Sequence, residues 1–347
     1  MSIRAYIAGW VDPTSRELHA QAEQLLSSGW GLGALAEGYP PLTVMLAGAS
    51  SNPLFYALIS ALAFGCLLQT VLWSMVRTEV APALAVVLLA VWIGVPAIWY
   101  EASERFDTVA SVALLALAIE GWRRFAFASH TDGGITAGCC LAVCVLLNPM
   151  AALFCTLMAL SLLIVGWRAR MPWRQTWSMV AVLVFPSLMV AVWWVALVWI
   201  VNGDVAEPFE HLSQGFTPFL DHGAIGALSL MGGSLLYTPL YAAVAWTMWR
   251  RTRRGFLVYV VPWLGMGLAA ALDFPFVSLS MAYFLLCLVA IATIPTGLTR
   301  AEQAVVAAVA LVQMWVMLAM PFDSGYYQDW LKQIGWYDLV LGGLGLR

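Results

Sequence analysis

The chain has 347 residues, of which 62% are hydrophobic and only 10% charged, with 18 Trp. A soluble domain carries nearer a quarter of its residues as charge, so composition excludes an ordinary soluble fold and predicts an all-α, polytopic membrane protein. The net charge of −3 conceals a segregation of basic from acidic loops, and that segregation sets the expected topology.

Residues 1–52 form an expected extracytoplasmic piece. Residues 1–11 carry one Arg and an apolar run too short and interrupted for a signal peptide or a span. Thr14-Ser15-Arg16-Glu17 fits a capping box, in which the Thr hydroxyl and the Glu carboxylate satisfy free amides at a helix start. Leu18, Ala22, Leu25 and Leu26 then share one face, which predicts a short amphipathic helix lying on the membrane surface and ending at Ser27-Ser28-Gly29. Asp12 precedes Pro13, which holds it extended and outside that helix. It is either an exposed turn carboxylate or a reactive one.

Helices need roughly 20 apolar residues to cross about 30 Å of hydrocarbon. The expected spans are 53–76, 80–100, 107–122, 134–147, 150–166, 176–201, 224–248, 256–272, 276–297 and 301–320, about ten in all, within a transmembrane domain 53–320. The fourth and fifth are separated only by Asn148-Pro149 and are read as half-length helices or one kinked segment. Arg residues fall in alternate connections: Arg77; Arg123 and Arg124; Arg168, Arg170 and Arg174; Arg250, Arg251, Arg253 and Arg254; Arg300. These mark the expected cytoplasmic face. Acidic residues such as Glu101, Asp204, Glu210, Asp273 and Asp323 occupy the opposite connections. Both termini, including an outer tail at 321–347 rich in Tyr and Trp, are therefore expected outside the cytoplasm.

All six Cys fall inside spans, so no disulfide framework is implied. No phosphate-cradling Gly loop, Walker pattern or HExxH is present. Nucleic-acid binding has no support, because the basic clusters are short and explained by membrane orientation. Mid-span charges, which mark the pathway of a transporter, are almost missing, which lowers that reading.

The ordered outer features resemble the GT-C glycosyltransferases, polytopic enzymes that use polyprenyl-phosphate sugars as donors. The resemblance rests on Asp12, "LHAQAEQLLSSG" and Tyr39-Pro40-Pro41-Leu42, then "YEASERFDTVASVALLALAIEGWRRF", the Pro-broken "LLNPMAALFCTLMALSLLIVGWRAR" and "WIVNGDVAEPF", over roughly residues 9–220. It implies a glycan, lipid or protein acceptor whose hydroxyl attacks the sugar, with one carboxylate as base. Asp12 is the first choice for that base, and Glu17 is the second catalytic candidate beside its capping duty. Glu37, Tyr39, Glu101, Glu104, Arg105, Asp107 and His211 are the expected substrate-binding residues. Asp107 also suits a helix N-terminus, and Arg105 suits either interface snorkelling or a phosphate fork. No cofactor is assigned and the need for a divalent metal is left open. Such enzymes normally have a span before the first outer loop, so a first helix is expected to be missing or lost, or supplied by a partner protein. A non-catalytic membrane subunit in a complex is the rival reading.

Overall fold

Proline opens helix after helix in this chain, because its locked φ suits the first turn and its missing N–H costs nothing there. The structure, a computed structural model, describes residues 7, 13–27, 40–50, 52–77, 80–128, 130–203, 224–251, 253–272, 279–295, 297–319 and 325–335. Among them the secondary structure is helical: α1 (Pro13–Ser27), α2 (Pro41–Ala47), α3 (Pro53–Arg77), α4 (Pro82–Ile93), α5 (Pro96–Glu104), α6 (Phe106–Ala128), α7 (Thr131–Leu147) and α8 (Ala151–Arg168). These are followed by α9 (Trp173–Asn202), α10 (Ala224–Tyr237), α11 (Pro239–Arg251), a 3₁₀ turn Arg253–Phe256, α12 (Leu257–Ala271), α13 (Leu279–Ala292), α14 (Arg300–Ala319) and α15 (Gly325–Gln333).

Among the described residues four helices are long and apolar enough to cross a membrane: Leu54–Leu72 of α3, Ala151–Arg168, Trp173–Ile200 of α9 and Arg300–Leu318 of α14. The bent pair α4 and α5 makes a fifth if it is one span. Helices α7, α12 and α13 are apolar but shorter.

Two expected spans differ in shape from the sequence reading. The span 80–100 bends by 65° between α4 and α5, because Pro96 has no N–H to continue the ladder and instead starts a new helix. The span 224–248 is two helices broken at Thr238-Pro239 for the same reason. There the N–H of Leu240 is satisfied by Gln313 Oε1 of α14 at 3.1 Å, and the Gln313 amide donates onward to Cys287 Sγ at 2.9 Å. At Asn148 the chain turns back, so α7 and α8 are two separate helices. Asn148 Oδ1 accepts the Met150 N–H at 3.0 Å, which is the backbone-satisfying duty such a break requires.

The main core runs the length of the bundle and includes fully buried Trp92, Trp122, Phe154 and Phe284. A smaller cluster of Leu18, Ala22, Val44, Ala47 and Tyr56, with Phe106 against it, closes one end. Two sequence expectations are corrected here. Leu18 and Ala22 face α2 and α3 rather than lipid, because Val44, Ala47 and Tyr56 of those helices present apolar side chains that the stripe buries. The helix also starts at Pro13, so Thr14 lies inside its first turn instead of capping it. In the tail, α15 packs Tyr327 and Trp330 against Tyr100 of α5.

Candidate functional site

The end of the bundle under α1 collects the polar side chains. Helix α5 stops at Arg105, whose φ of −128° and ψ of 80° leave the helical region. A helix end leaves carbonyls without partners. Here Ser15 Oγ of α1 donates to the Glu104 carbonyl at 3.1 Å, and Ser60 Oγ adds a 3.4 Å contact to the Glu101 carbonyl, which already accepts the Arg105 N–H at 3.0 Å. Ser15 thus pins α1 directly over the α5–α6 junction.

That junction holds three carboxyls and one guanidinium, and one of the carboxyls pairs with it. Arg105 Nη2 lies 3.4 Å from Asp107 Oδ2, with both side chains little exposed, at 13% and 11%. Asp107 sits in the first turn of α6, where the helix dipole favours an anion. Glu101 is 1% exposed; its Oε1 accepts from Ser280 Oγ of α13, 179 positions away in sequence. Its Oε2 is buried with no partner in hydrogen-bonding geometry among the described residues. Burying a carboxyl is costly unless it is paired, and the Arg105 charge and the Ser280 hydroxyl offset only part of that cost at Glu101. The 6%-exposed Glu104 completes the acidic set.

The structure therefore brings together Glu101, Glu104, Arg105 and Asp107, with Ser15 of α1 joined to them. The backbone of Glu17 lies in α1, but its side chain is outside the described residues. Asp12, Glu37, Tyr39 and His211 also lie outside the described residues. Sequence reasoning missed Ser280 and Ser60, for which a lone small polar residue in an apolar run gives no signal of its partner. It also missed His19. Ser15, Leu18, His19 and Ala22 follow the i, i+3, i+4, i+7 spacing of one helix face, which is the signal that would have found it.

His19 packs edge-to-face on Tyr56, with centroids 6.1 Å apart, and neither of its ring nitrogens has a hydrogen-bond partner among the described residues. Burial lowers its pKa from the ordinary 6.5, partly opposed by Glu23. A base whose folded pKa is depressed binds its proton more readily when unfolded, so this contribution is complete above about pH 6.5 and is lost as pH falls below it. The protein is expected to melt a few degrees lower at pH 5.5 than at pH 7.5, and His19→Phe to reduce that difference. Thermal unfolding of both proteins at both pH values checks it; an equal pH effect in the variant would assign the loss to other groups.

Among the described residues no group of three or more His, Cys, Asp or Glu has an arrangement that holds a metal ion. Compared with models of protein families, with curated proteins and with solved structures, the chain matches none.

Proposed function

We propose that this chain is a membrane glycosyltransferase of the GT-C type, moving a sugar from a polyprenyl-phosphate donor to a glycan, lipid or protein acceptor. The observation that carries the reading is the placement of the acidic α5–α6 junction directly beneath the amphipathic α1, joined by the Ser15 to Glu104 contact. The Arg-bearing ends of α6, α8 and α11 gather at the far end of the bundle. The arginines thus mark one end as cytoplasmic and leave the acidic junction at the other. In this reading the helices that are short or broken complete ten crossings, both termini lie outside the cytoplasm, and the membrane is a bacterial plasma membrane.

The chemistry follows from charge. The acceptor hydroxyl oxygen bonds to the anomeric carbon as the bond from that carbon to the phosphate oxygen breaks. The hydroxyl proton passes to a carboxylate, for which Asp12 is the first candidate, and the sugar configuration inverts because no covalent intermediate forms. The departing polyprenyl phosphate gains negative charge, and Arg105 is the guanidinium placed to meet it. Asp107 holds that arginine in position.

A second reading is favoured by a specific observation. Arg105 is already committed to Asp107 and Glu101 is almost fully enclosed, which suits a polar clamp in a non-catalytic subunit that assembles with a partner protein. One assay separates the two. Vesicles holding the protein, Asp12→Ala or Arg105→Ala are given polyprenyl phosphate carrying a radiolabelled sugar. Loss of the base is expected to slow transfer about 100-fold or more. Loss of Arg105 is expected to slow it about 10- to 100-fold, the worth of a charge-assisted hydrogen bond. Equal transfer by all three removes the site assignment, and no transfer from any polyprenyl-phosphate sugar favours the subunit.

A further inference from the structure

Helix α8 ends in a turn that glycine usually makes. Met171 N–H donates to the Gly166 carbonyl at 2.9 Å and Arg170 N–H to the Trp167 carbonyl at 3.1 Å. These are the paired bonds of a Schellman cap, which places Arg170 at the left-handed position. Its φ is +52°, and among the described residues it alone has positive φ without being glycine. A side chain is held there against a steric cost.

The same turn borders two cavities. One, of about 400 Å³, lies between the ends of α6, α8, α11 and α12 and is lined by Arg123, Phe127, Val165, Arg168, Met171 and Leu257 among others. The other, of about 530 Å³, lies between α8 and α9 and is lined by Leu163, Trp167, Arg168, Arg170, Met171 and Trp173 among others. Arg168 and Met171 line both.

Three arginines line these cavities, Arg123, Arg168 and Arg170, and they differ in their partners. Arg123 makes a two-pronged pair with Glu120 at 2.7 and 2.8 Å, Arg124 pairs with Asp132 at 3.4 Å, and Arg251 pairs with Glu302 at 2.9 Å. Arg168 and Arg170 have no ion pair or side-chain hydrogen bond among the described residues. The carbonyl end of α8 disfavours an anion by only about half a charge, and the cap already occupies two of those carbonyls. Two full positive charges outweigh it.

We propose that the α8–α9 turn is a binding site for an anionic phospholipid, its phosphodiester held between Arg168 and Arg170. Two observations favour a lipid over a soluble anion. Helices α8 and α9 are both long and apolar enough to cross a membrane, so the turn joining them lies where headgroups lie. The cavity between them is also flanked by Trp167 and Trp173, 80% and 67% exposed, aromatic residues of the kind that sit at headgroup level. Basic pockets between membrane helices are a recurrent way of holding lipid phosphate.

The test is native mass spectrometry of the full chain in detergent, titrated with phosphatidylglycerol or phosphatidylcholine, with and without inorganic phosphate. Phosphatidylglycerol is expected to bind about 10-fold more tightly than phosphatidylcholine, and Arg168→Gln/Arg170→Gln to abolish that preference while leaving phosphatidylcholine unchanged. Arg170→Gly relieves the backbone strain and so guards against misfolding. It is expected to raise the melting temperature while weakening phosphatidylglycerol several-fold. Equal binding of the two lipids, or a higher melting temperature in Arg170→Gly with unaltered lipid preference, overturns the proposal. Displacement of phosphatidylglycerol by millimolar inorganic phosphate overturns the assignment to a lipid.

Discussion

Replacing Gly133 by valine is expected to destabilise the protein by about 3 kcal/mol, the upper end of what overpacking costs. A Cβ at Gly133 would stand 2.5 Å from the Gly121 carbonyl oxygen, and a Cβ at Gly121 would stand 2.7 Å from the Gly133 carbonyl oxygen. Helices α6 and α7 therefore touch backbone to backbone, the close approach that small residues permit between packed helices. A backbone oxygen has no rotamer by which to retreat, so the two helices must part. Helix propensity pulls the other way, since Gly to Ala gains about 1 kcal/mol in a helix interior. The clash wins: Gly133→Ala is expected to lose about 1–2 kcal/mol net. Gly65 of α3 is the control, because nothing lies within 4 Å of its Cβ position; Gly65→Ala is expected to gain up to about 1 kcal/mol. Thermal unfolding of the three variants in detergent reads the order directly, and a Gly133→Val protein as stable as the parent would show that α6 and α7 do not meet there.

Trp330→Ala is expected to remove about 3–5 kcal/mol of local stability, the usual cost of truncating a buried Trp. Trp330 is fully buried and packs edge-to-face on Tyr100 of α5, with centroids 5.5 Å apart, while Tyr327 stacks beside it. Helix α15 has nine residues, too few to persist in water without a docking surface. Losing the anchor therefore frees the whole helix rather than one side chain. Tyr100 precedes Glu101, so the acidic junction loses part of its cover. Limited proteolysis is expected to cut the variant near Lys332 far faster than the parent, and sugar transfer, where measurable, to fall with it. An unchanged cleavage rate would mean that α15 is held by other contacts.

The two expected losses arise from features that differ in how far they can be read from sequence. Glu101, Glu104, Arg105 and Asp107 fall within seven positions and were legible as a group, because local spacing alone puts them at a helix junction. Ser280, which donates to Glu101, was not, since the pairing spans the chain. The amphipathic face of α1 was legible from its 3.6-residue period, but period says only that one face is apolar. Whether lipid or protein covers it depends on what lies opposite, and here α2 and Tyr56 do. Trp330 likewise reads as an interface residue until α5 is brought against it.

Composition and the distribution of charge by themselves determined that this is a helical chain with apolar membrane-length segments, and that acidic and arginine-bearing turns alternate. Those properties belong to single segments, whose hydropathy and capping act over a few neighbouring residues. Tertiary packing alone decided where proline breaks became bends, how closely α6 and α7 approach, which serine satisfies Glu101, and that α1 covers the acidic junction. Each of these depends on surfaces far apart in sequence meeting in space, with contact energies that no local window of residues contains.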